Sequence, residues 1–144
     1  MNANEILKTK GSKIITASPT EAIWTVLRRF RMHQVGALVV TDDGVRLLGL
    51  LGERELVNGL VARGNRLLDL PVEVVMAKSV PTCKPEDSVT EVMQMMTDHR
   101  TRHVPVVEDG HLRGLISIGD LVKAVLDDAE HETRVLRDIA RARS

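Results

Sequence analysis

The chain has 144 residues, and its 20 Lys+Arg balance 20 Asp+Glu, so the formal net charge is zero. That length allows one compact body or two small halves sharing a core. Neutrality argues against a nucleic-acid binder, which needs a net basic footprint, and against a membrane-surface role. With one Trp, one Phe and no Tyr, the core must come from Val, Leu, Ile and Met, and stacking platforms for exposed bases are missing.

Residues 1–5 are polar and form no signal peptide, and no run approaches the ~18 apolar residues of a spanning helix. In chain order, residues 4–10 read as a short helix stopped by Gly11. A short strand follows near 13–16. Ser18-Pro19-Thr20-Glu21 then opens a helix whose apolar side is Ile23, Val26, Leu27 and Phe30, at i, i+3, i+4 and i+7. A β-rich run at 35–41, an Asp42-Asp43-Gly44 turn, a strand at 46–51 and a helix at 54–61 complete the first half. Residues 62–72, with Gly64, Asn65 and Pro71, read as a connector.

The same order then recurs. Thr16, Pro19, Val26, His33, Val40, Asp43 and Gly44 meet Thr82, Pro85, Val92, His99, Val106, Asp109 and Gly110 at a constant offset of 66. The second copy runs through a strand at 79–82, a helix bearing Val89, Val92, Met93 and Met96, and strands at 103–107 and 112–117. A helix at 119–126 ends it. Pro105 removes a ladder donor and should sit at a strand start or edge. Residues 128–143 read as a further helix with a thin apolar side (Val135, Leu136, Ile139), solvated or docked on a partner. The chain divides into an N-terminal helix (1–11), repeat 1 (12–62), a linker (63–78), repeat 2 (79–126) and a C-terminal helix (127–144).

Gly114-Leu115-Ile116-Ser117-Ile118-Gly119-Asp120-Leu121 and its first-copy partner Gly49-Leu50-Leu51-Gly52-Glu53-Arg54-Glu55-Leu56 carry a family resemblance. So does Arg102-His103-Val104-Pro105-Val106-Val107. Doubled at constant spacing, these resemble the cystathionine-β-synthase (CBS) domain pair over residues 12–126. The resemblance implies an α/β (α+β) fold of two βαββα repeats packed about a pseudo-twofold axis, with clefts between the repeats that accept AMP, ADP, ATP or another adenosyl compound. It further implies a disc-like homodimer serving a regulatory role. The regulated protein is unknown.

Ser117 and Asp120 are the leading site candidates, because a short carboxylate can accept from both ribose hydroxyls and the helix start offers free N–H groups to a phosphate. Arg102 and His103 could neutralise that phosphate. By resemblance, Val80 and Thr82 lie where backbone groups meet an adenine edge, with Val104 and Pro105 as apolar walls. Ser-x-x-Asp is equally a capping box, and both roles can coexist. In the first copy Gly52 and Glu55 replace the hydroxyl and the Asp, and Gly36-Ala37 replaces Arg102-His103. The competent cleft is therefore expected to use the second copy's motif.

His99 and His103 have metal-like spacing, but they fall on a helix end and a strand, so no metal site is expected. Cys83, the single cysteine, reads as a small core residue in a reducing cytoplasm. Met95 lies off its helix's apolar face, free for a partner. Arg28, Arg29 and Arg31 sit on a polar face. No acid/base or nucleophile set suggests an enzyme. The expectation is a cytoplasmic, non-catalytic nucleotide sensor without cofactor, membrane or nucleic-acid partner. The alternative is an interaction module with vestigial clefts.

Overall fold

In the computed structural model, which describes residues 1–11 and 13–143, each repeat is a small sheet covered on one face by helices. Ser12, where the sequence reading begins repeat 1, and Ser144 lie outside the described residues. The order is α1 (Ala3–Lys10), β1 (Thr16–Ala17), α2 (Ile23–His33), β2 (Ala37–Val40), β3 (Gly49–Gly52), α3 (Glu53–Arg63), a 3-10 turn (Gly64–Asp69) and α4 (Val72–Val75). Then come α5 (Val89–His99), β4 (His103–Glu108), β5 (His111–Ser117) and α6 (Ile118–Arg143).

The two-residue side-chain period of a strand decides which core each side chain joins. Leu38, Val40 and Leu51 face α2 with Ile23 and Val26, while Val39, Ala37 and Leu50 face the other repeat. Repeat 2 mirrors this: Val104, Val106 and Ile116 pack under Val92, Met96 and Leu121. Leu112 and Leu115 join the shared layer. The register shift between Val106 and Val107 leaves Arg113 unpaired, which puts Leu112 and Gly114 on opposite faces.

Repeat 1 pairs β1 with β2 in parallel, Thr16 with Val39 and Ala17 with Val40. The expected strand at 79–82 is reduced to one parallel bridge, Cys83 with Val106. Two prolines explain the loss. In repeat 1 the Val39 N–H donates to the Ile15 carbonyl at 3.4 Å. The residues 66 further on are Pro105, which has no N–H to give, and Pro81, which has none either. Pro105 thus sits inside β4 with its missing donor on the edge away from β5, as a strand proline requires.

Three other expectations need correcting. The helices read at 119–126 and 128–143 are one 26-residue helix, α6, since Leu126-Asp127-Asp128-Ala129 contains no breaker. Met95 packs against the repeat 2 core. Arg29 is also no solvated cation, because its guanidinium holds Glu21 in a two-pronged pair at 2.7 and 2.5 Å and donates to the Thr16 carbonyl.

The segments preceding the repeats are exchanged. Ala3 and Asn4 N–H groups donate to the Asp87 and Pro85 carbonyls of repeat 2, and Ala3 and Ile6 are buried in its core. Val72 and Glu73 make the equivalent bonds to Glu21 and Pro19 of repeat 1. Glycines let both segments in. A Cβ on Gly114 would lie 2.5 Å from Leu7 Cδ2, and one on Gly49 would lie 2.6 Å from Met76 Sδ. α1 and α4 are therefore counterparts, each clamping one repeat. No helix of the described residues is long and apolar enough to cross a membrane.

Candidate functional site

At the repeat interface a cleft of about 720 Å³ opens where the two strand-to-helix junctions converge. Repeat 1 supplies Gly36, Ala37, Gly52, Arg54 and Glu55, and repeat 2 supplies Arg100, Arg102, His103 and Ile118. Its size falls within the ~300–1,000 Å³ of small-molecule pockets.

Local chemistry places each group. β3 ends at Gly52 and turns directly into α3, so Glu55, three residues on, folds back and its Oε2 accepts from the Gly52 N–H at 3.0 Å. Gly52 has no side chain to complete a capping box, and Glu55 is in none of the ion pairs among the described residues. Opposite, α5 ends at Arg100, whose left-handed backbone turns the chain into β4. The Arg54 guanidinium donates to the Arg100 carbonyl across the cleft. Arg102 is exposed at the start of this return and His103 is half-buried. His103 stands against Gly36, where a Cβ would come within 3.2 Å of the imidazole. Burial pushes the His103 pKa below the usual histidine range, and the Lys10 charge adds to this, while Asp120, Glu53 and Glu55 pull the other way. His103 thus stands where carboxylates of both repeats act on it.

The other sequence-selected residues lie elsewhere. Ser117 and Asp120 form a complete capping box: the Ser117 N–H donates to Asp120 Oδ2 at 2.9 Å, and the Asp120 N–H to Ser117 Oγ at 3.1 Å. Asp120 Oδ2 also takes the Lys10 ammonium at 2.7 Å. Burial works to raise the Asp120 pKa, but Lys10 and the Ser117 N–H outweigh it and leave it below the usual carboxylate value. Asp120 lines a separate cavity of about 220 Å³ with Lys10, Lys123 and Asp127. Val104 is fully buried in the repeat 2 core, and Pro105 is buried, so neither walls the cleft. Val80 belongs to the shared layer and Thr82 is exposed away from the cleft lining. Of the eight residues, only Arg102 and His103 line the main cleft, and the carboxylate facing them comes from the first copy.

Cys83 is buried in the repeat 2 core, and burial, reinforced by the Asp87 charge, pushes its thiol pKa up to about 12. No group of three or more His, Cys, Asp or Glu among the described residues is arranged to hold a metal ion. Sequence inspection missed Glu55 as sharing a cleft lining with Arg102, and missed Arg54, Arg100 and Lys10. Arg102 and His103 share the cleft lining with Glu55 of the other copy, while the charge of Asp120 in their own copy also acts on His103.

The family model for the CBS domain matches the chain twice, over residues 5–62 and 72–127. A mitochondrial CBS domain-containing protein of Arabidopsis thaliana is 30% identical over 141 residues, 92% of this chain and 68% of that protein. The crystal structure of a CBS-domain protein from Agrobacterium tumefaciens superposes with a TM-score of 0.81 at 39% identity, covering 85% of this chain and 92% of its own. A CBS domain pair solved in complex with 5′-methylthioadenosine and S-adenosyl-L-methionine shares the fold, with a TM-score of 0.76 at 21% identity over 87% of this chain and 99% of that one.

Proposed function

The chain belongs to the CBS-domain family as a tandem pair, and we propose that it is a non-catalytic regulatory module taking an adenine nucleotide or related adenosyl ligand in the cleft between its repeats. One observation carries this reading. The 720 Å³ cleft has in its lining both Glu55 of repeat 1 and Arg102 and His103 of repeat 2. A carboxylate accepts from vicinal ribose hydroxyls, and a guanidinium beside a neutral imidazole suits a phosphate. Ala37, Leu50, Met96 and Ile118 give apolar lining against which a base can lie. The adenosyl compounds bound by the structural relative point to the same ligand class.

Because the site is shared between repeats, a ligand there contacts both and favours the arrangement that brings them to their best distance. A second copy of the chain is the natural reader of that change. Val57, Leu60 and Val61 on α3 and Val122, Val125 and Leu126 on α6 stand at equivalent positions, all 46–85% exposed. Paired apolar stripes of this kind suit a self-complementary contact. The buried free thiol suits a reducing compartment such as the cytoplasm.

The test is a thermal-shift panel of AMP, ADP, ATP, adenosine and S-adenosylmethionine. A ligand at a hundredfold its Kd adds about 2.7 kcal/mol and raises Tm by roughly 5–10 °C. No response from any of them at millimolar concentration contradicts the reading and favours an interaction module with vestigial clefts.

A further inference from the structure

The pseudo-twofold axis relates Glu55 to Asp120, so a second cleft would be built on the Ser117-Asp120 junction. The spaces near that junction are small: the 220 Å³ cavity that Asp120 lines, and one of about 60 Å³ lined by Ala37, Val35, Gly114 and Leu115. Lys10 lines both this space and the 220 Å³ cavity at Asp120. We infer that Lys10 is an internal ligand which fills the second cleft, making this chain a one-site module and deciding which of two related clefts accepts an adenosyl compound.

The asymmetry follows from the lengths of the two clamping segments. α4 ends after four residues, and the chain then runs extended, so that Ala77 N–H donates to the Leu50 carbonyl at 2.9 Å on the edge of β3. α1 stays helical for eight residues. Among the described residues no edge strand reaches Leu115, the counterpart of Leu50, and the Lys10 ammonium donates to its carbonyl instead, at 2.5 Å. The same ammonium reaches on to Asp120. A backbone donor in one repeat is thus replaced by a side-chain cation in the other, and that cation neutralises the carboxylate a ribose would use. Glu55, in the open cleft, is in no ion pair among the described residues.

This inference rests on the proposed adenosyl-binding reading, and two readouts separate them. Adenosine, which is uncharged, and AMP are titrated by calorimetry into the full-length protein and into Lys10→Ala, with Lys8→Ala on the same helix as control. The expected stoichiometry is one per chain for wild type and Lys8→Ala and two for Lys10→Ala. Lys10→Met, which keeps the apolar stem, serves if Lys10→Ala does not fold. In parallel, carboxyl NMR follows the Asp120 titration, whose midpoint should rise in the Lys10 variants. Two sites in wild type, one site in Lys10→Ala, or an unmoved Asp120 midpoint each overturns the inference. Absence of binding to every variant overturns the adenosyl reading instead, and the Asp120 midpoint then decides alone whether Lys10 holds that carboxylate.

Discussion

Replacing Gly114 by Ala tests whether α1 truly clamps the second repeat. The new methyl would lie 2.5 Å from Leu7 Cδ2, 3.0 Å from Cδ1 and 3.3 Å from Cγ, all atoms of one side chain. Ordinary carbon contacts begin near ~3.5 Å, so Leu7 must leave its place or β5 must shift. Overpacking of this kind costs about 1–3 kcal/mol, set against the ~0.5–1 kcal/mol that Ala regains over Gly in a strand. The net expectation is a loss of about 1–2 kcal/mol, measured by urea unfolding with an unchanged m value. Leu7→Ala removes the obstructing atoms. The double variant should therefore be more stable than the sum of the single losses by about 1–2 kcal/mol, a coupling well above the ~0.5 kcal/mol scatter of independent sites. Gly49→Ala should cost more than Gly114→Ala, because its methyl also meets the Ala77 carbonyl oxygen at 2.7 Å, which cannot rotate away. Strict additivity between Gly114→Ala and Leu7→Ala would refute the exchanged packing of the clamping segments.

Cys83, buried with its pKa near 12, should resist thiol reagents at pH 8 in the folded protein and react only at the rate of unfolding, as followed by mass spectrometry. His103 has a depressed pKa, so its contribution to stability is complete above the ordinary value of about 6.5 and is lost as pH falls through the folded value. His103→Gln should flatten this acid-side loss in melts between about pH 5 and 7. If the phosphate of AMP sits beside His103, AMP binding should take up protons below the ordinary histidine pKa of about 6.5 and adenosine binding should not. Calorimetry in buffers of different ionisation enthalpy reads this directly. Gly119→Ala, in the first turn of α6 with only Ser117 Oγ nearby at 3.6 Å, should stabilise by up to ~0.5–1 kcal/mol in the same unfolding assay.

Much of the scaffold was readable from residue order because strand and helix periods repeat at one offset. Ile23, Val26, Val92 and Met96 are core residues, as their spacing requires. The failures have physical causes. Pro105 was seen as a lost donor, but its consequence at Pro81 is visible only once the two strands are set side by side. The kinship of Ala3, Ile6 and Leu7 with Val72, Val75 and Met76 runs at an offset of 69, hidden from a search tuned to 66. The site suffered most, because likeness along a chain says which residues are equivalent, not which are opposite. Arg102 and Asp120 share a copy, yet the fold puts Arg102 in one cleft lining with Glu55 and gives Asp120 to Lys10, 110 residues away.

The assignment of the open cleft is tested most directly by titrating AMP into Glu55→Ala and Asp120→Ala by calorimetry. Loss of a hydrogen-bonded charge costs about 1.5–3 kcal/mol, or roughly ten- to a hundredfold in Kd. Glu55→Ala should weaken AMP by that factor, while Asp120→Ala should bind one AMP per chain with wild-type affinity. Full affinity in Glu55→Ala together with loss in Asp120→Ala would place the ligand in the other cleft and contradict the assignment.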